Sequence, residues 1–173
     1  PAAAWTGKEL LIWGGGDQAD GAAYDPAADT WRPLAMGPLS ARAATGSVWT
    51  GREMVVWGGG NPTQAFDDGA AYDPAADRWR PLARSPLQPR RSFAAQWTGR
   101  EVLVWGGGPD NSLVFYGNGA AYDPAADTWR ELPAWSSRFN PASVWTSREL
   151  IVWGGIFAPA KIETLSDGAR LSP

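Results

Sequence analysis

The sequence predicts an all-β protein built from a repeated four-stranded antiparallel sheet. The chain is a repeat of about 48 residues, and each copy holds short apolar segments separated by Gly, Pro, Asn and Asp. Its 173 residues include 21 Gly and 15 Pro, yet 44% are hydrophobic and 12 are Trp. Disordered chains contain few aromatic residues, so this composition is typical of one turn-rich globular domain.

Two sequence units alternate along the chain and define the repeat. The first reads WTGREMVVWGGG in its second copy, and the second reads GAAYDPAADTWR in its first copy. Eleven of the twelve Trp belong to these units, and Trp135 is the exception. The first unit begins at Trp5, Trp49, Trp97 and Trp145, and the second at Gly21, Gly69 and Gly119.

Each copy resolves into four strands, which in the second repeat cover residues 43–50, 53–57, 69–73 and 77–82. Thr50-Gly51-Arg52 makes a tight turn between the first two strands, and Asp73-Pro74 ends the third. The second strand is apolar at consecutive positions, so both of its faces must be covered. A four-stranded sheet that is covered on both faces by copies of itself is a propeller blade.

These units resemble the kelch repeat of the bacterial type. A Gly-Gly pair closes the second strand, a Tyr lies in the third and a Trp in the fourth, as at Gly58-Gly59, Tyr72 and Trp79. The resemblance covers the whole chain, and kelch repeats are roughly 50 residues long. It implies a single kelch-type β-propeller domain over residues 1–173, with blades at about 1–34, 35–83, 84–133 and 134–173.

The last repeat departs from this pattern. Ile156 replaces the third Gly, and Leu171-Ser172-Pro173 stands where Tyr-Asp-Pro is expected. We therefore expect three complete four-stranded blades and a truncated three-stranded fourth blade. Kelch-like rings close with roughly six to eight blades, which leaves an uncovered apolar face at each end. One prediction is a homodimer that closes an eight-bladed ring. The alternative is a fragment of a larger extracellular kelch protein.

The absence of Cys and His excludes several kinds of chemistry. Disulfides, thiol nucleophiles, Cys/His zinc sites and a Ser-His-Asp triad need these residues, as does the copper-oxidase activity of some kelch-like propellers. A net charge of −3 gives no support for binding to nucleic acid or to an anionic membrane. No apolar run reaches the roughly 18 residues of a membrane span. We expect no cofactor and no enzymatic activity, and favour an extracytoplasmic or secreted location.

Three repeated motifs have a structural interpretation. The glycines after each second strand supply positive φ and allow neighbouring blades to approach. The carboxylate pairs close the turns between third and fourth strands, where Asp before Pro accepts backbone N–H bonds. The Trp before the glycines is predicted to lie in the core between blades. The residues concerned are Asp25, Asp29, Asp73, Asp77, Asp123 and Asp127, and Trp13, Trp57, Trp105 and Trp153.

The three arginines that precede the first strands are the leading candidates for binding. Arg42, Arg90 and Arg138 share one register, 48 residues apart. If the first strand is innermost, they cluster at the mouth of a central channel, where guanidinium groups can bind a carboxylate. The alternative is that each Arg pairs with a loop Asp or with a carbonyl of the next blade.

The loops between second and third strands differ in every copy and emerge on the same face as these arginines. Variable loops on a rigid frame are the usual place for binding, so we predict that this loop face holds a protein, peptide or glycan. A carbohydrate-active enzyme of the sialic-acid type and a purely structural role are the alternatives. The further candidate contact residues are Phe66, Asp67, Asp68, Phe115, Tyr116 and Trp135.

Overall fold

The computed structural model describes residues 1–109, 114–157 and 163–172, and every regular element in these ranges is a β-strand. The strands form antiparallel sheets in which the second strand of each repeat lies beside the first. This arrangement confirms the predicted all-β class and the four-stranded repeat.

Each repeat forms its own sheet, numbered 1 to 4 in chain order. Sheet 1 consists of β1 (Ala2–Trp5), β2 (Leu10–Gly15), β3 (Gln18–Asp25) and β4 (Thr30–Pro33). Sheet 2 consists of β5 (Gly46–Trp49), β6 (Met54–Trp57), β7 (Gly69–Asp73) and β8 (Arg78–Pro81). Sheet 3 consists of β9 (Ala94–Trp97), β10 (Val102–Trp105), β11 (Gly119–Asp123) and β12 (Thr128–Leu132).

Sheet 4 has three strands, as the departure of the last repeat from the pattern predicts. Its strands are β13 (Ala142–Trp145), β14 (Leu150–Trp153) and β17 (Gly168–Leu171). The loop between β14 and β17 carries a feature that the sequence did not predict, a two-stranded ribbon of β15 (Ile156–Phe157) and β16 (Glu163–Thr164).

Two strands of the second repeat begin later than the sequence predicts. The first strand starts at Gly46 rather than at Ala43, because Ala44 has a φ of 52°. The fourth strand starts at Arg78 because Asp77 has a φ of 46°. A residue in the left-handed region cannot continue an extended strand, so each positive φ sets a boundary.

The first strand of each sheet is the inner strand. β1, β5, β9 and β13 lie side by side in that order, whereas the other strands of neighbouring sheets approach one another less closely. Polar side chains link these inner strands. Ser47 Oγ donates to the Ala3 carbonyl at 3.1 Å, and Gln96 Nε2 donates to the Ser143 carbonyl at 3.1 Å.

Each pair of successive sheets encloses one apolar core. The forward face of sheet 1, which looks toward sheet 2, contributes Leu11 and Trp13, and the rear face of sheet 2 contributes Met54 and Tyr72. The same pattern recurs between sheets 2 and 3 and between sheets 3 and 4. The prediction for the Trp before the glycines is confirmed in three of four repeats, where the side chains are buried: Trp13, Trp57 and Trp105.

Candidate functional site

The glycines after the second-strand Trp join neighbouring sheets in the first three repeats, as predicted. Gly59 has a φ of 84°, and a Cβ at this position would lie 2.6 Å from the Ala43 carbonyl oxygen. Its N–H donates to the Arg90 carbonyl of the next repeat at 2.9 Å, and Gly15 and Gly107 make the equivalent bonds. Only glycine permits both the positive φ and this close backbone approach.

Arg42 lies in a closed pocket of its own repeat and is 1% exposed. Its Nη1 donates to the Gly58 carbonyl at 3.3 Å and forms an ion pair with Asp68, while Nε and Nη2 donate to Ser40. The ring of Phe66 covers the guanidinium, with its centroid 4.0 Å from Cζ. The charge of Arg42 is therefore neutralised and covered within the chain.

Arg138 occupies the equivalent pocket in the fourth repeat and is 1% exposed. Nη1 donates to the carbonyls of Gly154 and Asp167, and Nη2 donates to Asp167 Oδ1 at 2.9 Å. Arg42 and Arg138 thus pair with a loop Asp and with carbonyls of their own repeat, rather than of the next blade. These two guanidinium groups are thus buried and paired within the chain, rather than exposed to bind a carboxylate, which was one of the two expectations.

Arg90 is fully buried but has no carboxylate partner among the described residues. Nε donates to the Gln88 carbonyl, and Nη1 to the carbonyls of Gly106 and Asn118, at 3.0–3.1 Å. Nη2 donates to Asn118 Oδ1 at 2.9 Å and to Gln88 Oε1 at 3.3 Å. Burial lowers the pKa of the Arg90 guanidinium to about 10, so at neutral pH it stays a buried cation with neutral partners.

A shallow surface pocket of about 370 Å³ is lined by residues that contact Arg90, among them Gln88 and Asn118, while Arg90 itself lies behind them. The ring of Tyr116 lines it and also covers Arg90, with its centroid 4.5 Å from Cζ. Phe115 and Trp135 add two more aromatic rings, and Gln88 adds a polar side chain. Three residues that the sequence predicted as contacts therefore meet around one pocket.

Trp135, the tryptophan outside the repeat units, takes part in both packing and this pocket. Its ring packs against Trp105 with a centroid distance of 5.1 Å. Between sheets 1 and 2 the equivalent contact joins Trp13 to Trp79 of β8, at 5.7 Å. Among the described residues sheet 4 contains no fourth strand to supply such a Trp, and Trp135 fills the place from the preceding link.

The remaining predicted contact residues all lie in the second repeat. Phe66, Asp67 and Asp68 lie in the loop between β6 and β7, where Asp67 is half-buried. Phe115 stacks on Phe139 with a centroid distance of 5.1 Å. Parts of two predicted binding loops, residues 110–113 and 158–162, lie outside the described residues.

Sequence reasoning missed Gln88 and Asn118, although one signal was present. The residue before the third-strand Gly of the second unit is Asp20, Asp68 and Asp167 in three repeats, and only the third repeat has Asn118. The difference is a single amide for a carboxylate. This difference changes the charge of the site because Arg90 donates a hydrogen bond to Asn118.

The carboxylate pairs stabilise the turns between third and fourth strands, as predicted, and the second Asp also accepts an N–H from the preceding link, at Asp77 and Asp127. Asp73 Oδ1 accepts the N–H groups of Ala75 and Ala76 at 2.9 and 3.3 Å. Asp77 accepts the Tyr72 hydroxyl at 2.6 Å. The first and third repeats repeat these bonds, so the pairs stabilise turns.

The two end sheets each present an apolar face without a neighbour among the described residues. On the forward face of sheet 4, Trp153 is 58% exposed and lies beside Val144 and Ile151. On the rear face of sheet 1, Trp31 is 58% and Trp5 51% exposed. Both faces correspond to surfaces that are buried between the inner sheets.

Within the described ranges there is no cluster of three or more Asp or Glu side chains placed to hold a metal ion. The same ranges contain no helix long and apolar enough to cross a bilayer. The sequence matches no family model, and no curated protein is significantly similar to it.

Proposed function

We propose that this chain is a segment of a kelch-type β-propeller that acts as a ligand-binding module and completes its ring by pairing with a second copy. The all-β, blade-like sheets with adjacent inner strands support the propeller. The observation that carries the proposal is the match between the two uncovered end faces. Inside the chain, the forward face of one sheet packs on the rear face of the next. The two uncovered faces are one forward face, on sheet 4, and one rear face, on sheet 1.

The forward face of sheet 4 has the residues that a forward face uses for packing. Trp153 and Ile151 correspond to Trp105 and Leu103 of sheet 3, which are fully buried against sheet 4. In sheet 4 the same positions surround a depression of about 230 Å³. A rear face of another sheet 1 would fill it.

The rear face of sheet 1 has the complementary residues. Leu10 and Tyr24 correspond to Met54 and Tyr72 of sheet 2, which are buried against sheet 1. In a pair of copies, Trp153 would pack on the partner's Trp31 as Trp13 packs on Trp79. Monomers rarely expose apolar patches beyond roughly 300–600 Å², so a large stabilisation is available from joining these faces.

A two-fold axis allows both junctions to form at once. Sheet 4 of each copy meets sheet 1 of the other, and the assembly closes with no apolar face left over. The resulting ring has eight blades, two of which are short. The loops between second and third strands then extend over the same side of the ring and form the binding face.

Light scattering on the purified chain tests the proposal. We expect a mass of twice the chain's 18.5 kDa. Trp153→Glu and Trp31→Glu each place a charge in both junctions, so each variant is expected to be a folded monomer. A 1:1 mixture of the two variants retains one intact junction and should again form dimers.

Met36→Glu is the matched control, because Met36 is 76% exposed in the link after sheet 1 and away from both end faces. It should leave the dimer intact. A folded wild-type monomer would overturn the dimer and favour a longer chain as the source of the missing blades. Open polymers of increasing mass would overturn the closed ring.

A further inference from the structure

We infer that the pocket over Arg90 binds a ligand that carries a carboxylate group attached to a planar aromatic ring. This inference rests on the proposed binding role of the loop face and names the ligand chemistry of one site on it. It depends on three observations: the absence of a carboxylate partner for Arg90 among the described residues, the position of the Gln88 amide oxygen, and the aromatic walls of the pocket.

Within the described part of the chain, Arg90 differs from its two equivalents because it has no carboxylate partner. Arg42 and Arg138 each pair with the Asp that precedes the third strand, Asp68 and Asp167. Arg90 has Asn118 at this position and donates to its neutral amide oxygen. A buried cation with only neutral partners gains more from an added anion than one that is already paired.

The Gln88 side chain marks the place where that anion would sit. Its Oε1 accepts from Arg90 Nη2 at 3.3 Å and from Asn118 Nδ2 at 3.4 Å, both near the upper limit for a hydrogen bond. Gln88 is exposed, so its side chain can move into solvent at little cost. A carboxylate oxygen in the vacated position would receive both bonds, one of them charge-assisted.

The rest of the ligand is defined by the walls of the pocket. Tyr116, Phe115 and Trp135 surround the space beside Gln88. Aromatic side chains favour stacked or edge-on contacts with another planar ring. The lining residues of the pocket are all uncharged, and Arg90 lies behind Gln88, Asn118 and Tyr116. Once the Gln88 side chain has moved, the carboxylate binds to Arg90 and the ring binds to the aromatic walls.

Benzoate and its neutral analogue benzamide are suitable probes. Binding is measured from the indole N–H resonance of Trp135, which Trp135→Phe identifies, at constant ionic strength. We expect saturable binding of benzoate that is at least roughly tenfold tighter than that of benzamide. Equal binding of the two probes, or no binding of benzoate, would overturn the inference.

Asn118→Asp is the decisive variant, because it gives Arg90 the carboxylate that its two equivalents have. The fold is expected to tolerate it, since Asp already occupies this position in the other repeats. Benzoate affinity should fall by roughly tenfold or more, while Asn61→Asp, which adds the same charge to the loop before β7, should change it by less than about twofold. Unchanged affinity in Asn118→Asp would rule out the role of Arg90.

Gln88→Ala tests the displacement. Removal of the competing amide oxygen should leave benzoate affinity equal or higher, and a loss of binding would contradict the proposed position of the carboxylate. None of these substitutions lies on the end faces, so light scattering reports on assembly independently. If benzoate does not bind while light scattering still gives the mass of a dimer, this inference is refuted and the proposed assembly is not.

Discussion

Arg80 of sheet 2 donates from Nη1 to the hydroxyl of Tyr122 in sheet 3, at 3.0 Å. The same guanidinium forms a two-bond ion pair with Glu53 of its own sheet, through Nε and Nη2 at 3.0 and 2.8 Å. One side chain therefore links a hairpin of one sheet to the third strand of the next. Arg32 makes the equivalent bond to Tyr72 at 3.2 Å.

The chain contains a matched control for this link. Arg130 pairs with Glu101 as Arg80 pairs with Glu53, but sheet 4 has Leu171 in place of the Tyr. We expect Arg80→Met to reduce the free energy of unfolding by at least about 1 kcal/mol more than Arg130→Met, because Arg80 loses the Tyr122 bond and an ion pair of 3.6 Å with Asp127. Urea unfolding followed by Trp fluorescence measures both, and equal losses would contradict a stabilising role for the bond between sheets.

Tyr122, which accepts the hydrogen bond from Arg80, gives a second prediction. Tyr122 is buried, and its hydroxyl donates to Asp127 at 2.6 Å, whereas Tyr24 on the uncovered rear face is only half-buried. Tyr122→Phe leaves the half-buried Arg80 and the exposed Asp127 without their bonds to the hydroxyl and should cost about 1 kcal/mol. Tyr24→Phe, measured in the same urea experiment on a monomeric Trp153→Glu background, should cost less than half as much.

Stability is expected to fall in acid, partly because of Asp77. The Tyr72 hydroxyl and the Ala35 N–H donate to Asp77 and hold the pKa of its carboxyl below the ordinary 3.8. Because the folded pKa is lowered, this stabilisation is present above pH 3.8 and is lost as the pH falls through the folded pKa. The stability difference between wild type and Asp77→Asn should therefore be largest near neutral pH.

Urea unfolding across the acid range measures this difference, which should narrow below about pH 4. Asn accepts a positive φ, so the variant keeps the turn. Glu131→Gln is the control, since Glu131 is exposed in β12 and no ion pair is described for it. A difference that stays constant with pH would show that Asp77 acts only through its shape.

A comparison of Gly59 and Gly51 distinguishes the loss of stability caused by a close atomic contact from the loss caused by a strained φ. Both have positive φ, 84° and 92°, but only at Gly59 would a Cβ meet other atoms, the Ala43 carbonyl oxygen and the Thr45 side chain at 2.6 Å. We expect Gly51→Ala to cost about 1 kcal/mol from φ alone, and Gly59→Ala to cost at least about 2 kcal/mol more. Thermal unfolding of the two variants provides the comparison.

Much of the fold follows from the sequence because its determinants are local. A turn at Thr50-Gly51-Arg52 and an Asp73-Pro74 turn define strand ends within a few residues of each other. Their recurrence at a fixed spacing predicts both the number of sheets and the shortened last one. The strand starts were less accurate, because a positive φ at Ala44 is not marked by Gly or Asn.

The candidate site was only partly predictable. The register of Arg42, Arg90 and Arg138 and the aromatic residues of the loops were visible in the sequence. Whether a guanidinium faces solvent or a carboxylate depends on atoms from a segment distant in the chain, such as the one that carries Asn118 in the case of Arg90. No spacing rule brings these segments together.

The sequence by itself determined the sheets, their antiparallel order and the apolar character of both faces of each second strand, because turns and hydrophobic patterns act over a few residues. The tertiary structure decided which of those faces are covered. Trp105 and Trp153 occupy identical positions in their units, yet one is buried and the other is 58% exposed. A side chain on such a face is buried only when another sheet packs against it, and the residues of the face itself do not specify whether that sheet is present.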